Sequence, residues 1–196
     1  EMISAMEYWI KEVGVDGFRC DAADFVPFDF WQQAITSLKD ISGRNIILLA
    51  EGSREDHFAA GFQMNFAWDW YTAVKNVFVS NGSPETLYNT HLSEYTSVTT
   101  GKRKLRFTTN HDLSNQLTPI GVFGTKKAAL AASVATLLMN STPLIYSGQE
   151  VGVSAPSIYT SGQTINWNLN PDMLSAYTAL LQFYKNSEVS RKGVLT

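Results

Sequence analysis

Four short apolar segments, each ending on an acidic residue, constrain the fold of this chain most strongly. Their apolar parts are only a few residues long and rich in β-branched or aromatic side chains. Short, nearly continuous apolar runs are typical of strands buried on both faces of a parallel sheet. The four segments are GVDGFRCD (14–21), NIILLAE (45–51), KLRFTTNHD (104–112) and TPLIYSGQE (142–150). A fifth, less regular candidate strand is FQMNFAWDW (62–70).

Helical patterns lie between these candidate strands. The chain opens on the amphipathic pattern EMISAMEYWIKEVG, and further helices are predicted over 28–41, 71–79, 83–95, 126–140 and 170–187. The alternation of strand and helix predicts an α/β fold with about five parallel strands. Such strands could form a complete open sheet or part of an eight-stranded barrel, which typically needs about 250 residues.

Composition excludes several classes of protein. Apolar residues make up 44% of the 196 residues and the net charge is −3, which supports a substantial core and argues against disorder and against an electrostatic nucleic-acid binder. No apolar run approaches the roughly 20 residues that a membrane span needs. The single cysteine, Cys20, excludes an internal disulfide framework and a cysteine-built zinc site, and it does not decide the compartment.

Acidic residues at the strand ends are the candidate functional groups. Active-site residues of β/α folds gather beyond the carboxyl ends of the strands, so Asp21, Glu51 and Asp112 are expected to converge. Asp69 and Glu150 end the other two candidate strands, and Glu150 is expected to serve as a structural hydrogen-bonding group. Converging carboxylates indicate either a hard-cation site or glycosidic acid/base chemistry.

Strand alternation adds a partner for the first acid. Residues two apart point to one side of a strand, so Arg19 is expected to contact Asp21, while Cys20 faces the surrounding helices. A charge-assisted hydrogen bond from Arg19 would favour the ionised carboxylate that a nucleophile needs. A plain buried ion pair is the structural alternative.

The segments resemble motifs of the α-amylase family, glycoside hydrolase family 13. GVDGFRCDAADFVP resembles its fourth-strand motif, IILLAEG its fifth, FTTNHD its seventh and TPLIYSGQE its eighth-strand segment. The resemblance covers nearly the whole chain, in family order. It implies a partial (β/α)8 TIM barrel with the fourth to eighth strands. It also implies a retaining hydrolase that cleaves α-1,4-glucosidic bonds of starch or maltooligosaccharides through a covalent glycosyl-enzyme.

The resemblance assigns roles position by position. Asp21 matches the catalytic nucleophile, Glu51 the general acid/base and Asp112 the third catalytic carboxylate. Substrate-binding roles fall on Arg19, which orients the nucleophile, and on His111 and Asn110 of the NHD motif. A retaining glycosidase needs its two carboxyl groups about 5–5.5 Å apart, so we expect Asp21 and Glu51 at that separation.

The resemblance also shows what this chain does not carry. The barrel's first three strands, the inserted domain that usually supplies calcium ligands and the C-terminal β-sandwich have no counterpart in residues 1–196. We therefore expect the C-terminal portion of a catalytic barrel, inactive by itself. No cofactor or metal is expected in this chain, and calcium binding is expected, if anywhere, in the whole protein. Strands with open edges predict self-association. Asp24-Phe25 stand where many α-amylases carry a lysine-histidine pair.

Other aromatic and histidine residues carry weaker expectations. Tyr159 and Trp167, in the irregular segment after the last strand, are candidates for stacking on glucose rings. His57 and His91 are expected to be solvated. The α-glucan hydrolase has three alternatives: an amylase-like transglycosylase or α-1,6-glucosidase, a non-catalytic glucan-binding or scaffold protein, and a flavodoxin-like domain. A flavodoxin-like domain needs a glycine-rich or hydroxyl-rich phosphate-binding loop after an early strand, and the sequence contains no such motif.

Overall fold

The computed structural model describes residues 1–114, 117–154, 162 and 164–193. Five parallel strands form one sheet in chain order, which confirms the predicted α/β class. All five candidate strand segments contain a strand, including the irregular fifth one. The strands are β1 (Gly17–Cys20), β2 (Ile47–Ala50), β3 (Met64–Phe66), β4 (Arg103–Arg106) and β5 (Thr142–Pro143).

Ten helices lie around these strands in the described part of the chain. They are α1 (Met2–Tyr8), α2 (Phe28–Ser42), α3 (Asp56–Ala60), α4 (Trp68–Val79), α5 (Glu85–Glu94), α6 (His111–Ser114), α7 (Pro119–Phe123), α8 (Lys126–Leu138), α9 (Pro171–Asn186) and α10 (Glu188–Lys192). A π-helical turn over Trp9–Val13 continues α1. The longer helices confirm the predicted ranges, except that α4 begins at Trp68 instead of residue 71, so the last three residues of the candidate strand 62–70 are helical. The periodicity missed four helices of four or five residues, because such elements are too short to show a helical repeat.

The chain divides into two compact units, residues 1–68 with 94–104, and residues 69–93 with 105–196. In the first unit, apolar side chains of α2 share one buried cluster with side chains of β1 and β2. Trp31 and Leu38 of that helix and Leu48 of β2 are buried in one cluster with Phe62. Gly43 ends α2 in the left-handed conformation, at φ 61°, which is typical of a glycine that follows the last residue of a helix.

The second unit has its own buried residues. Leu105 of β4 pairs with Thr142 of β5, and the largest buried side chains include Trp70, Phe107 and Tyr177. Among the described residues, no helix combines the length and apolar character that a membrane span requires.

Candidate active site

Asp21 and Glu51 lie side by side because they follow paired parallel strands. The register of β1 and β2 pairs Cys20 with Ala50, so the next residue of each strand emerges at the same end of the sheet. Backbone hydrogen bonds extend this pairing. The Glu51 N–H donates to the Cys20 carbonyl at 2.9 Å, and the Ala23 N–H donates to the Glu51 carbonyl at 2.8 Å. The backbone therefore fixes the two acidic residues relative to each other.

One guanidinium contacts both carboxylates. Arg19 Nη1 donates to Asp21 Oδ1, and Arg19 Nη2 lies 3.4 Å from Glu51 Oε2. The Phe66 ring lies 5.9 Å from the same guanidinium. The Asp21 side chain is 78% exposed, whereas that of Glu51 is 18% exposed. Asp21 is thus open to a ligand, while Glu51 is held more deeply by the protein.

Cys20 lies between Arg19 and Asp21, and its side chain points to the opposite face of the sheet, as strand alternation predicted. Cys20 is buried in the core cluster of the first unit beside Trp31 and Leu48. Burial raises the pKa of the Cys20 thiol to about 11. The thiol therefore stays protonated at neutral pH and packs as a small apolar group.

The turn after Asp21 holds the Glu51 carboxylate from a second direction. Ala22 adopts the left-handed conformation, at φ 45°, which is uncommon for a residue with a Cβ. In that conformation its N–H donates to Glu51 Oε2 at 2.6 Å. The Trp31 indole supports the same turn by donating to the Ala23 carbonyl at 3.1 Å. The strained residue thus serves to orient a candidate catalytic group.

The two histidines expected to be solvated are buried, so that prediction was wrong. His57 is fully buried on α3, where it contacts Phe62, and burial lowers its pKa. His91 is 3% exposed on α5, and burial together with the nearby Arg106 lowers its pKa to about 4. Their sequence neighbours are polar, but the short helix α3 and the buried face of α5 place both rings inside.

The second unit carries the residues of the NHD motif. Asp112 lies in α6, several residues beyond the end of β4, instead of directly at a strand end as the sequence predicted. The Asn110 side chain is buried, and its Oδ1 accepts the N–H groups of Asp112 and Leu113, both at 3.0 Å. His111 Nε2 lies 3.5 Å from Asp112 Oδ1, and both side chains are about half exposed, 43% and 50%. Asn110 thus shapes the turn that presents the two.

The remaining predicted residues belong to the second unit. Trp167 is 51% exposed in the loop before α9, and Tyr159 lies outside the described residues. Glu150 accepts the Gly148 N–H at 2.8 Å, in keeping with the structural role expected for it. Asp69 lies in the first turn of α4. Within the described ranges, no group of three or more His, Cys, Asp or Glu side chains could hold a metal ion.

The comparisons with known proteins all indicate the same family. The Alpha-amylase family, described as the catalytic domain of alpha amylase, matches residues 1–186. The chain is 28% identical over 158 residues to Alpha-amylase 2 of Dictyoglomus thermophilum, which covers 78% of this chain and 27% of that protein. It is 22% identical over 200 residues to a cyclomaltodextrinase of a Bacillus species, covering 98% and 36%. The chain therefore spans less than two fifths of the length of these relatives.

Solved structures share the fold. The cyclic alpha-maltosyl-(1→6)-maltose hydrolase of Arthrobacter globiformis superposes with a TM-score of 0.83 at 20% identity, over 97% of this chain and 44% of that one. The maltogenic alpha-amylase AmyB of Thermotoga neapolitana gives a TM-score of 0.77 at 26% identity, over 96% and 43%. The five parallel strands with their helices are thus a partial (β/α)8 barrel.

Proposed function

Because this chain belongs to the alpha-amylase catalytic-domain family of glycoside hydrolases, we propose that the protein containing it hydrolyses α-linked glucans with retention of anomeric configuration. The observation that carries this proposal is the shared guanidinium of Arg19, which contacts both Asp21 and Glu51. A retaining hydrolase needs two carboxyl groups on one sugar, and these two residues are fixed side by side at one end of the sheet.

Each carboxyl group has a distinct role in the proposed reaction. Asp21, exposed and hydrogen-bonded to Arg19, attacks the anomeric carbon and forms a glycosyl ester. Glu51 gives its proton to the departing glycosidic oxygen, and its carboxylate then takes a proton from the water that hydrolyses the ester. The Ala22 N–H and Arg19 both contact Oε2 of Glu51, so we assign the transferred proton to Oε1.

The turn that carries the NHD motif is proposed to bind the sugar. A carboxylate and an imidazole presented together, as in Asp112 and His111, can bind neighbouring sugar hydroxyls. Asn110 contributes by shaping this turn, and its buried amide is a further candidate contact. Trp167 and Tyr159 stay candidates for stacking on glucose rings.

The relatives suggest which substrates to test first. They include a cyclomaltodextrinase and a maltogenic alpha-amylase. Short maltooligosaccharides and cyclodextrins should therefore be tested as substrates together with soluble starch. Transglycosylation and α-1,6 cleavage are distinguished by analysing the products. Calcium binding by the whole protein stays a prediction. We expect residues 1–196 alone to show little turnover, because loops that hold a substrate come from all strands of a barrel.

The test measures both rate and stereochemistry. The protein containing this chain is incubated with maltotetraose, and the first anomer formed is recorded by ¹H NMR. We expect the α-anomer first, a loss of turnover of at least about a thousandfold for Asp21→Asn, and a loss of about 10²- to 10⁴-fold for Glu51→Gln. The β-anomer as first product, or variants that retain full activity, would contradict the proposal.

A further inference from the structure

The turns that follow β1 and β2 are tied together by one carboxylate. Asp24 lies three residues after Asp21. Its Oδ2 accepts the Ser53 N–H and its Oδ1 accepts the Arg54 N–H, both at 3.1 Å. Ser53 and Arg54 directly follow Glu51-Gly52 in the other turn. A single side chain thus connects the segment that carries Asp21 to the segment that carries Glu51.

Arg54 returns the connection from the opposite turn. Its Nη1 donates to the carbonyls of Asp24, at 2.8 Å, and Val26, at 3.0 Å. Two further bonds fix its guanidinium on Asp56, Nε to Oδ1 at 2.9 Å and Nη2 to Oδ2 at 2.6 Å. Each turn therefore binds the backbone of the other through a side chain, so the two turns are linked by hydrogen bonds in both directions.

The backbone at Gly52 leaves room for the Asp24 carboxylate. Gly52, the residue after Glu51, has φ 144°, and a Cβ placed there would lie 2.3 Å from Asp24 Oδ1. That distance is far inside van der Waals contact, so a side chain at position 52 would displace the Asp24 carboxylate from its present position. The fully buried His57 also lies close to this carboxylate, with its Nε2 3.4 Å from Asp24 Oδ1. Burial lowers the pKa of His57, and the nearby Asp24 carboxylate acts in the opposite direction.

We propose that Asp24 is a positioning residue that sets the Glu51 turn against the Asp21 turn, so that both carboxyl groups reach the same glycosidic bond. This inference rests on the proposed function. A misplacement of about 1 Å in a reacting group can cost about a hundredfold in rate. The Asp24 contacts act on the backbone beside Glu51, so their loss should impair proton delivery to the leaving group more than sugar binding.

The test uses the protein containing this chain and two substrates that differ in their need for an acid. Maltotetraose requires protonation of its leaving group, whereas α-maltosyl fluoride requires much less. For Asp24→Ala we expect kcat/KM on maltotetraose to fall about 10- to 100-fold with KM within about threefold, and kcat/KM on the fluoride, which reports formation of the glycosyl-enzyme and not its hydrolysis, to fall far less. Asp24→Asn, which keeps one acceptor oxygen, should recover part of the loss.

Two further variants keep the test decisive. Gly52→Ala should give the same split between substrates, because its Cβ meets the Asp24 carboxylate, and it serves if Asp24→Ala does not fold by circular dichroism. Asp29→Asn, an exposed change in the first turn of α2, should leave both rates unchanged. Unchanged rates for Asp24→Ala, or equal losses on both substrates, would overturn the positioning role alone. An inactive wild-type protein would overturn the proposed function and this inference with it.

Discussion

Arg106 and His91 form a buried pair in the second unit. The Arg106 side chain is fully buried, with its guanidinium 3.6 Å from the centre of the Trp70 ring and Nη2 3.3 Å from His91 Nδ1. It also donates to the Met139 carbonyl. A neutral imidazole can accept from Arg106 through Nδ1, whereas a protonated one would place two cations together in a buried site. The folded state therefore favours neutral His91.

This pair predicts how stability responds to pH. The pKa of His91 is lowered to about 4 by burial and by Arg106, against about 6.5 in an unfolded chain. The stabilisation is complete above about pH 6.5 and is lost as the pH falls toward 4, because the unfolded chain binds the proton first. Each unit of that pKa difference corresponds to about 1.4 kcal/mol.

Urea unfolding at pH 7, 6, 5 and 4.5 measures this effect. The His91→Gln variant keeps an acceptor for Arg106 and has no group to titrate at this position. We expect the free energy of unfolding of the wild type to fall more steeply with decreasing pH than that of His91→Gln. Parallel curves for the two proteins would contradict the assignment.

At the scale of elements, α8 shows how a local signal fixes a helix boundary. Thr125 precedes the helix, and its hydroxyl accepts the Ala128 N–H at 3.1 Å. Thr125 is therefore the N-cap of α8, and threonine is among the residue types preferred at that position. A side-chain acceptor is needed there because the first N–H groups of a helix have no partner within the helix.

Removing this cap should destabilise the protein by about 1 kcal/mol. Thr125→Ala deletes the acceptor, whereas Thr125→Ser keeps a hydroxyl at the same position. Thermal or urea unfolding of both variants compares them with the wild type. A Thr125→Ala variant as stable as the wild type, or an equal loss for Thr125→Ser, would contradict a stabilising role for the capping hydroxyl.

Local patterns predicted what depends on neighbouring residues and missed what depends on tertiary contacts. Strand alternation placed Arg19 against Asp21 and turned Cys20 into the core, because a period of two is a property of the strand itself. The link between Asp24 and Arg54 joins turns 30 residues apart, and no spacing rule reports such a contact. The burial of His57 escaped prediction for the same reason.

At the scale of the whole molecule, the first unit exposes an apolar side. Met2, Tyr8 and Trp9 are 63%, 56% and 50% exposed along the first helix and the turn that follows it. A cavity of about 460 Å³ opens beside β1 and is lined mainly by apolar residues, among them Met2, Met6 and Phe30, together with Arg19 and Asp21. β1 is also the first strand in the sheet order. Apolar side chains beside an edge strand favour association with another chain.

We therefore expect the 196-residue chain to self-associate. Multi-angle light scattering over a range of concentrations should show a mass that rises above the 21.8 kDa of one chain. Trp9→Lys should reduce this association, because it places a charge in the exposed apolar patch. A monomer at every concentration, for wild type and variant alike, would contradict the expectation.

Asp21 is the proposed nucleophile of a retaining reaction, and the whole proposed mechanism depends on this assignment. A fluorinated glycosyl fluoride that forms the glycosyl-enzyme quickly and releases it slowly traps that residue directly. After incubation with the protein containing this chain, digestion and mass spectrometry identify the labelled side chain. We predict one sugar on Asp21 and no label in Asp21→Asn. A label on another residue, or hydrolysis of the reagent in which no glycosyl-enzyme forms, would contradict the claim.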